Sequence, residues 1–420
     1  MQDPPRELSS WKEIAAYLGV SVRTAQNWEA EKQLPITRLG PRGRILATTA
    51  GLDAWKQSNL QGTRRTNGYR FLRWYAAGLT AVLLIALAAA AVHSIRESRR
   101  RPTGYRIDPG RFVVVDASGR ELWNVQEPEL AGRETYGYVE GKGNRAAWFG
   151  DLDGDGLTEV LFVPILKPEA GRIPGPLICF SQDGRERWRF SPGRAISTST
   201  ESFEPPFAVV NFAVAARRIV VEGQHRFFYP AQVAVVSPEG KLLREYWHAG
   251  HLPALAVSDF DGDGASEIYA AGVNNARKMA TLVVLDPERM AGAADERGTP
   301  AFQFRGLAPG VEKARILFPR SCLTNVKDIW NFAQMLALDK HDLTVTVSED
   351  PHDTGAALFY HLDRSLRLKN LTPGDGFEMT HSRFRAEGKL DHDMNQAELD
   401  RLREVVYVSG GPVPGELPPR

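Results

Sequence analysis

The sequence predicts a multidomain chain: a small α-rich module, a single transmembrane α-helix, and a large all-β, propeller-like domain. Three observations predict it. Residues 74–95, WYAAGLTAVLLIALAAAAVHSI, are 22 residues without Asp, Glu, Lys or Arg, held between Arg73 and Arg96, and about 20 such residues cross a bilayer core of roughly 30 Å as a helix. Before that run, residues 9–31 carry two short helical patterns around Gly19. After it, short β-rich runs are punctuated by turns whose glycines, Gly119, Gly184 and Gly240, lie 65 and 56 residues apart, a spacing that fits four-stranded propeller blades. The expected order is therefore a module at 1–60, a basic juxtamembrane linker at 61–73, the span at 74–95, a linker at 96–110, the β domain at 111–412 and a Pro-rich tail at 413–420.

The apolar run follows 73 residues of apparently folded sequence, which sets it apart from a cleaved leader. It offers only Gly78, Thr80 and His93 as a polar stripe, too little for an ordinary buried soluble helix. Trp74 and Tyr75 suit the headgroup layer, and arginines flank both ends, so the charge rule alone leaves orientation open. At 420 residues and a net charge of +1 the composition is globular, but residues 1–73 hold twelve Lys or Arg against six Asp or Glu. That excess suits a polyanionic partner. Cys179 and Cys322 could pair in an oxidising compartment or remain two buried thiols.

In the first module, Ser9 or Ser10 caps a helix with Glu13 completing a capping box, and Ile14, Ala15 and Leu18 form its inner stripe. Gly19 supplies a turn. Ser21 caps a second helix, in which Val22, Ala25 and Trp28 face inward while Arg23, Thr24, Gln26 and Asn27 stay exposed near its start. This is a helix-turn-helix arrangement, whose second helix offers its first residues to base edges. Leu34 to Leu46 then forms a basic hairpin with Arg38, Arg42 and Arg44, and Thr48 or Thr49 opens a last helix. Residues 9–58, through WKEIAAYLGVSVRTAQNWE, resemble the winged helix-turn-helix of the MerR and excisionase type, without the effector-binding or coiled-coil segment usual after it. The resemblance implies DNA as partner, with Ser21, Arg23, Thr24 and Asn27 on the recognition helix and Arg38, Arg42 and Arg44 along the backbone.

The β domain carries hairpins at Phe112–Val115 with Glu121-Leu-Trp123, at Leu177–Phe180 with Glu186-Arg-Trp188, and at Val233–Val236 with Tyr246-Trp247, and echoes after Leu282–Leu285 and Ala357–His361. Two acidic loops, 108 residues apart, are its sharpest motifs: Asp151-Leu-Asp153-Gly-Asp155-Gly156-Leu-Thr-Glu159 and Asp259-Phe-Asp261-Gly-Asp263-Gly264-Ala-Ser-Glu267. Acids at positions 1, 3, 5 and 9 around a bend at Gly156 or Gly264 aim carboxylates and the carbonyl of position 7 at one hard cation. Position 12, where an EF-hand needs Glu, is Phe162 or Ala270. The strand-flanked form resembles the FG-GAP or VCBS repeat of integrin-type β-propellers. That resemblance implies two structural calcium ions, one at Asp151, Asp153, Asp155, Glu159 and the carbonyl of Leu157, the other at Asp259, Asp261, Asp263, Glu267 and the carbonyl of Ala265.

Gly141-Lys-Gly143 reads as a turn, because no helix follows it where a phosphate loop needs one. His248 and His251, Asp391-His392-Asp393, and the acidic stretch Glu349 to Asp353 lack a zinc pattern, and no nucleophile motif is present, so no enzyme is expected. The expected function is a bacterial membrane-anchored transcriptional regulator, with the DNA reader in the cytoplasm and the propeller periplasmic or extracellular, where it meets a ligand or partner protein. Paired half-sites would need a homodimer, and Ala77, Ala81, Ala86 and Ala90 would let two spans approach. The competing expectation is an anchored adhesion or recognition propeller whose first module docks a cytoplasmic protein.

Overall fold

The computed structural model describes residues 6–40, 44–61, 78–90, 92, 101–167, 173–350 and 355–410. The chain divides into two compact units, Met1–Ser94 and Ile95–Arg420. The first contains a small helical region, and the second is mostly β-sheet.

In the first unit the helices Trp11–Leu18 and Val22–Lys32 are joined at Gly19, whose φ of 71° closes the first helix in the left-handed region. Ser10 caps the first helix through Glu13 N, and the Glu13 carboxylate accepts from Ser9 N at 2.8 Å. Thr48 Oγ1 accepts from Gly51 N at the start of the Thr49–Gln61 helix. Strand Ile45–Thr48 lies between Thr37–Arg38 and Glu7–Leu8, all antiparallel. The Glu7–Leu8 strand has only two residues, too few for a periodicity to announce it. Leu8, Ile14, Leu18, Leu34, Ile45, Ala47 and Leu52 form the core, and Trp28 meets Trp55 at a ring separation of 5.4 Å. One inward assignment fails. Val22 is 39% exposed, because the inward stripe of its helix begins a turn later, at Ala25.

Among the described residues no helix is long and apolar enough to cross a membrane. Residues 78–90 of the apolar run are helical, about 20 Å of axis, and Leu79, Val82, Leu83, Leu84, Ile85 and Leu87 on it are all exposed. Residues 62–77 and 93–100, holding most of the basic linker, both ends of the expected span and part of the next linker, lie outside the described residues, as does the tail.

The second unit is built from successive antiparallel sheets that resemble propeller blades. Gly104–Asp108, Arg111–Val115 and Glu121–Gln126 make the first, and Gly104–Asp108 falls inside the expected linker, where Arg106 and Asp108 interrupt the apolar pattern. The second runs Ala147–Gly150, Glu159–Phe162, Leu177–Phe180, Glu186–Phe190. The third runs Phe207–Ala215, Arg218–His225, Pro230–Val236, Leu242–Ala249, and the fifth Phe332–Leu338, Leu343–Ser348, Ala357–Leu362, Leu368–Pro373. In the first, third and fifth the strands pair with their chain neighbours, whereas in the second a separate two-stranded ribbon, Ile165–Leu166 with Ile173–Pro174, lies in the chain between the two central strands. The fourth adds an outsider: Ala254–Ser258, Glu267–Asn274, Met279–Leu285 and Ala314–Phe318 are joined at the edge by the late strand Val406–Ser409. The chain after Leu285 therefore makes a long connection rather than the expected hairpin echo.

One device recurs between sheets. The turns at Gly119, Gly184 and Gly240 share a backbone bond from the glycine N–H to the carbonyl three residues earlier. Trp123 of the first sheet donates its indole N–H to Gln182 O, and Trp188 of the second donates to Pro238 O, at 3.0 and 2.8 Å. The indoles lie so close that a Cβ on Gly184 would meet Trp123 at 2.7 Å, and one on Gly240 would meet Trp188 at 2.6 Å. In the fifth sheet Leu366, with φ 59°, takes the glycine's place, and Tyr407 of the fourth sheet donates to its carbonyl at 2.9 Å. Each aromatic thus rests on a turn of the following sheet.

Candidate functional site

Both candidate regions grow out of local backbone chemistry. At the start of the Val22–Lys32 helix, Ser21 Oγ accepts from Thr24 N at 3.1 Å and lies 2.7 Å from Thr24 Oγ1. Ser21 and Thr24 are thereby engaged with each other as the cap, whereas Arg23, Gln26 and Asn27 are exposed. Arg38 is committed elsewhere. Its guanidinium grips Glu29, with Nη2 at 2.8 Å from Oε2 and 3.1 Å from Oε1, tying the hairpin to the helix. An exposed pair of this sort contributes about 0.2–1 kcal/mol, so a phosphate could take Arg38 from Glu29 at small cost. Arg44 is exposed, and Arg42 lies outside the described residues.

The two acidic loops fold alike. Asp151 accepts from Gly154 N and Gly156 N, as Asp259 does from Gly262 N and Gly264 N. Asp153 and Asp261 accept from the amides of Asp155 and Asp263, and these in turn from Leu157 and Ala265. Gly156 and Gly264 have φ of 85° and 91°, the conformation that favours glycine at the bend. Glu159 and Glu267, at the heads of their strands, are buried. Asp151, Asp153 and Glu159 can bring one oxygen each within 4.8 Å of the others, and so can Asp259, Asp261 and Asp263. An all-oxygen, multiply anionic donor set suits a hard cation, so the residues present fit calcium, which would supply charge neutralisation and loop closure.

Two basic side chains from elsewhere in the chain, which no motif announces, sit against these loops. Arg187 places Nη2 at 2.8 Å from Asp153 and Nη1 at 2.9 Å from Glu159. Lys313 Nζ reaches Glu267 at 2.6 Å, Asp261 at 3.1 Å and Asp263 at 3.4 Å. Arg187 holds the Asp153 carboxyl below the usual range, while burial pushes Glu159 and Glu267 up. Burial opposes the Lys313 charge, but bonds to Glu267 and Asp261 raise its pKa on balance. Arg187 pairs with two carboxylates of the first loop, Asp153 and Glu159, and Lys313 with three of the second, Asp261, Asp263 and Glu267. Arg187 lies 34 residues from Asp153, and Lys313 lies 52 and 50 residues from Asp261 and Asp263, distances no motif spans.

His248 and His251 turn to different backbone partners. His248 Nδ1 faces Gly250 O and His251 Nε2 faces Phe228 O. Cys179 and Cys322 are buried free thiols. Gly141 ends a helix, Arg133–Gly141, and Glu349 is buried, bonded to Ser321, Thr324 and Asn331; residues 351–353 lie outside the described residues.

No protein-family model and no curated protein matches this chain. Among solved structures it has distant matches to the β-propeller proteins BamB from Moraxella catarrhalis, at 10% identity and TM-score 0.29 over 63% of this chain and 59% of that one, and the V. cholerae biofilm matrix protein Bap1, at 13% identity and TM-score 0.26 over 55% and 40%. A Bacteroides caccae protein of unknown function matches at 12% and 0.27 over 65% and 71%. The chain thus spans under two thirds of BamB and of Bap1.

Proposed function

We propose that this chain is a bacterial single-pass membrane regulator: a winged helix-turn-helix that binds DNA in the cytoplasm, one span at 74–95, and an extracytoplasmic propeller of FG-GAP or VCBS type, stapled by two calcium ions, that binds a ligand or partner protein. The observation that carries the reading is the Val22–Lys32 helix. Its first turns expose Arg23, Gln26 and Asn27 beside a small hairpin bearing Arg38 and Arg44, and both Trp28 and Trp55 hold its other face. Arg and Asn are the side chains that make paired bonds to guanine and adenine edges. The exposed leucines of 78–90 support the span, since apolar side chains left exposed on a helix favour lipid over water.

Full-length protein in detergent, titrated with random-sequence and selected duplexes, tests the DNA reading. Affinity should fall steeply with salt, by about 0.9 log unit per tenfold salt for each phosphate neutralised. Arg23→Ala and Asn27→Ala should each weaken the selected site by about 1–3 kcal/mol, while Arg44→Ala weakens all duplexes alike. No binding at low salt would sink the reading.

A further inference from the structure

Away from both acidic loops, four side chains with metal-binding atoms converge. Cys322 opens the Cys322–Lys327 helix, His381 lies within Asp375–Ala386, His392 sits in the connection that follows, and Glu398 lies in Gln396–Leu402. One donor atom from each lies within 4.8 Å of all the others. Nε2 of His392 and Nε2 of His381 approach the same oxygen, Glu398 Oε2, at 3.2 and 3.3 Å.

Hydrogen bonding leaves this cluster incomplete. His381 is 1% exposed, yet its Nε2 has no hydrogen-bond partner among the described residues, a deficit that costs about 1–3 kcal/mol when a polar atom is buried. The atom is one of the four mutually close donors, and a cation held among them would satisfy it. A thiol nucleophile explains the arrangement less well, because Cys322 is only 8% exposed.

We propose that Cys322, His381, His392 and Glu398 form a structural zinc site. One thiolate, two imidazoles and one carboxylate are a donor set zinc prefers, and its tetrahedron, with bonds of about 2.0–2.3 Å, sets donors roughly 3.3–3.8 Å apart. The observed carboxylate–imidazole separations are close to that spacing. Thiolate and carboxylate together balance the dication. Nitrogen and sulfur donors exclude calcium. His392 turns its other nitrogen, Nδ1, to Asp391 Oδ1 at 2.7 Å, the carboxylate–histidine–metal arrangement that fixes a ligating ring. Four protein donors close the coordination, which marks the site as structural. The metal would staple three helices whose Leu323, Phe377, Phe384 and Leu402 belong to the same core cluster as strands of the fourth and fifth sheets.

The test is metal analysis of the full-length protein after dialysis, followed by chelation and refilling with cobalt. We expect about one zinc per chain, unaffected by excess calcium, and a cobalt spectrum with tetrahedral ligand-field bands and a thiolate charge-transfer band. Cys322→Ser should abolish the charge-transfer band, His392→Ala should lower zinc content severalfold, and Asp391→Asn should weaken zinc affinity about tenfold with all four donors in place. His392 is only partly buried, so its variant remains informative, with circular dichroism as the folding control, even if Cys322→Ser misfolds. Zinc at background level with no cobalt spectrum in the wild type, or wild-type zinc content in folded His392→Ala, would overturn the site.

Discussion

Glu222 is wholly buried in the third sheet, and its Oε2 has no hydrogen-bond partner among the described residues. Burial pushes its pKa from 4.5 to about 8. The folded state therefore binds an extra proton between those two values, so this group's contribution to stability is complete below about pH 4.5, falls as pH rises towards 8, and is flat above. Glu222→Gln should accordingly melt close to wild type at pH 5 and gain several degrees over it at pH 8; parallel melting curves across that range would refute the assignment. At this scale the sequence was legible where chemistry is local. Ser10 and Ser21 cap through bonds that span three residues. It was opaque where partners are remote, as for Lys313 and its three carboxylates, because loop closure leaves no trace in spacing.

Elements were readable wherever apolar alternation met a turn residue, which covers the hairpins ending at Gly119, Gly184 and Gly240. What the turns rest on was not readable, since Trp123 finds Gln182 only after two sheets stack. The acidic loops belong to this scale too. If calcium staples them, EDTA should lower the melting temperature of the full chain and millimolar calcium should restore it, with each kcal/mol worth roughly 2–4 °C in a domain of this order. Lys313→Ala sharpens the measurement. Without the ammonium, Glu267, Asp261 and Asp263 repel one another in EDTA, so the variant should melt lower than wild type there and recover more on adding calcium. A variant indifferent to calcium would count against the second site. Helices Arg133–Gly141, Cys322–Lys327 and Asp375–Ala386 escaped the sequence reading, being short interruptions of a β pattern or, in the last, a helix whose Phe377 and Phe384 are separated by polar residues.

For the whole molecule, the proposed topology is a statement about two compartments. A periplasmic reporter fused after Arg101 should be active and a cytoplasmic one silent, and the reverse fusion result would invert the placement of both units. The late strand Val406–Ser409, paired with Ala314–Phe318, draws the chain from the helices that carry His381 and Glu398 back to the fourth sheet. That return brings Cys322 within reach of residues some 60–76 positions later.

By itself the sequence determined the helix caps, the hairpin repeat and the two acidic loops, because each is written in hydrophobic period, turn residues or a contiguous motif. Only the tertiary structure decided that Arg38 holds Glu29, that Arg187 and Lys313 sit among the loop carboxylates, and that Cys322, His381, His392 and Glu398 meet. Those contacts depend on how sheets and helices close in space, and long-range closure fixes distances that residue spacing does not encode.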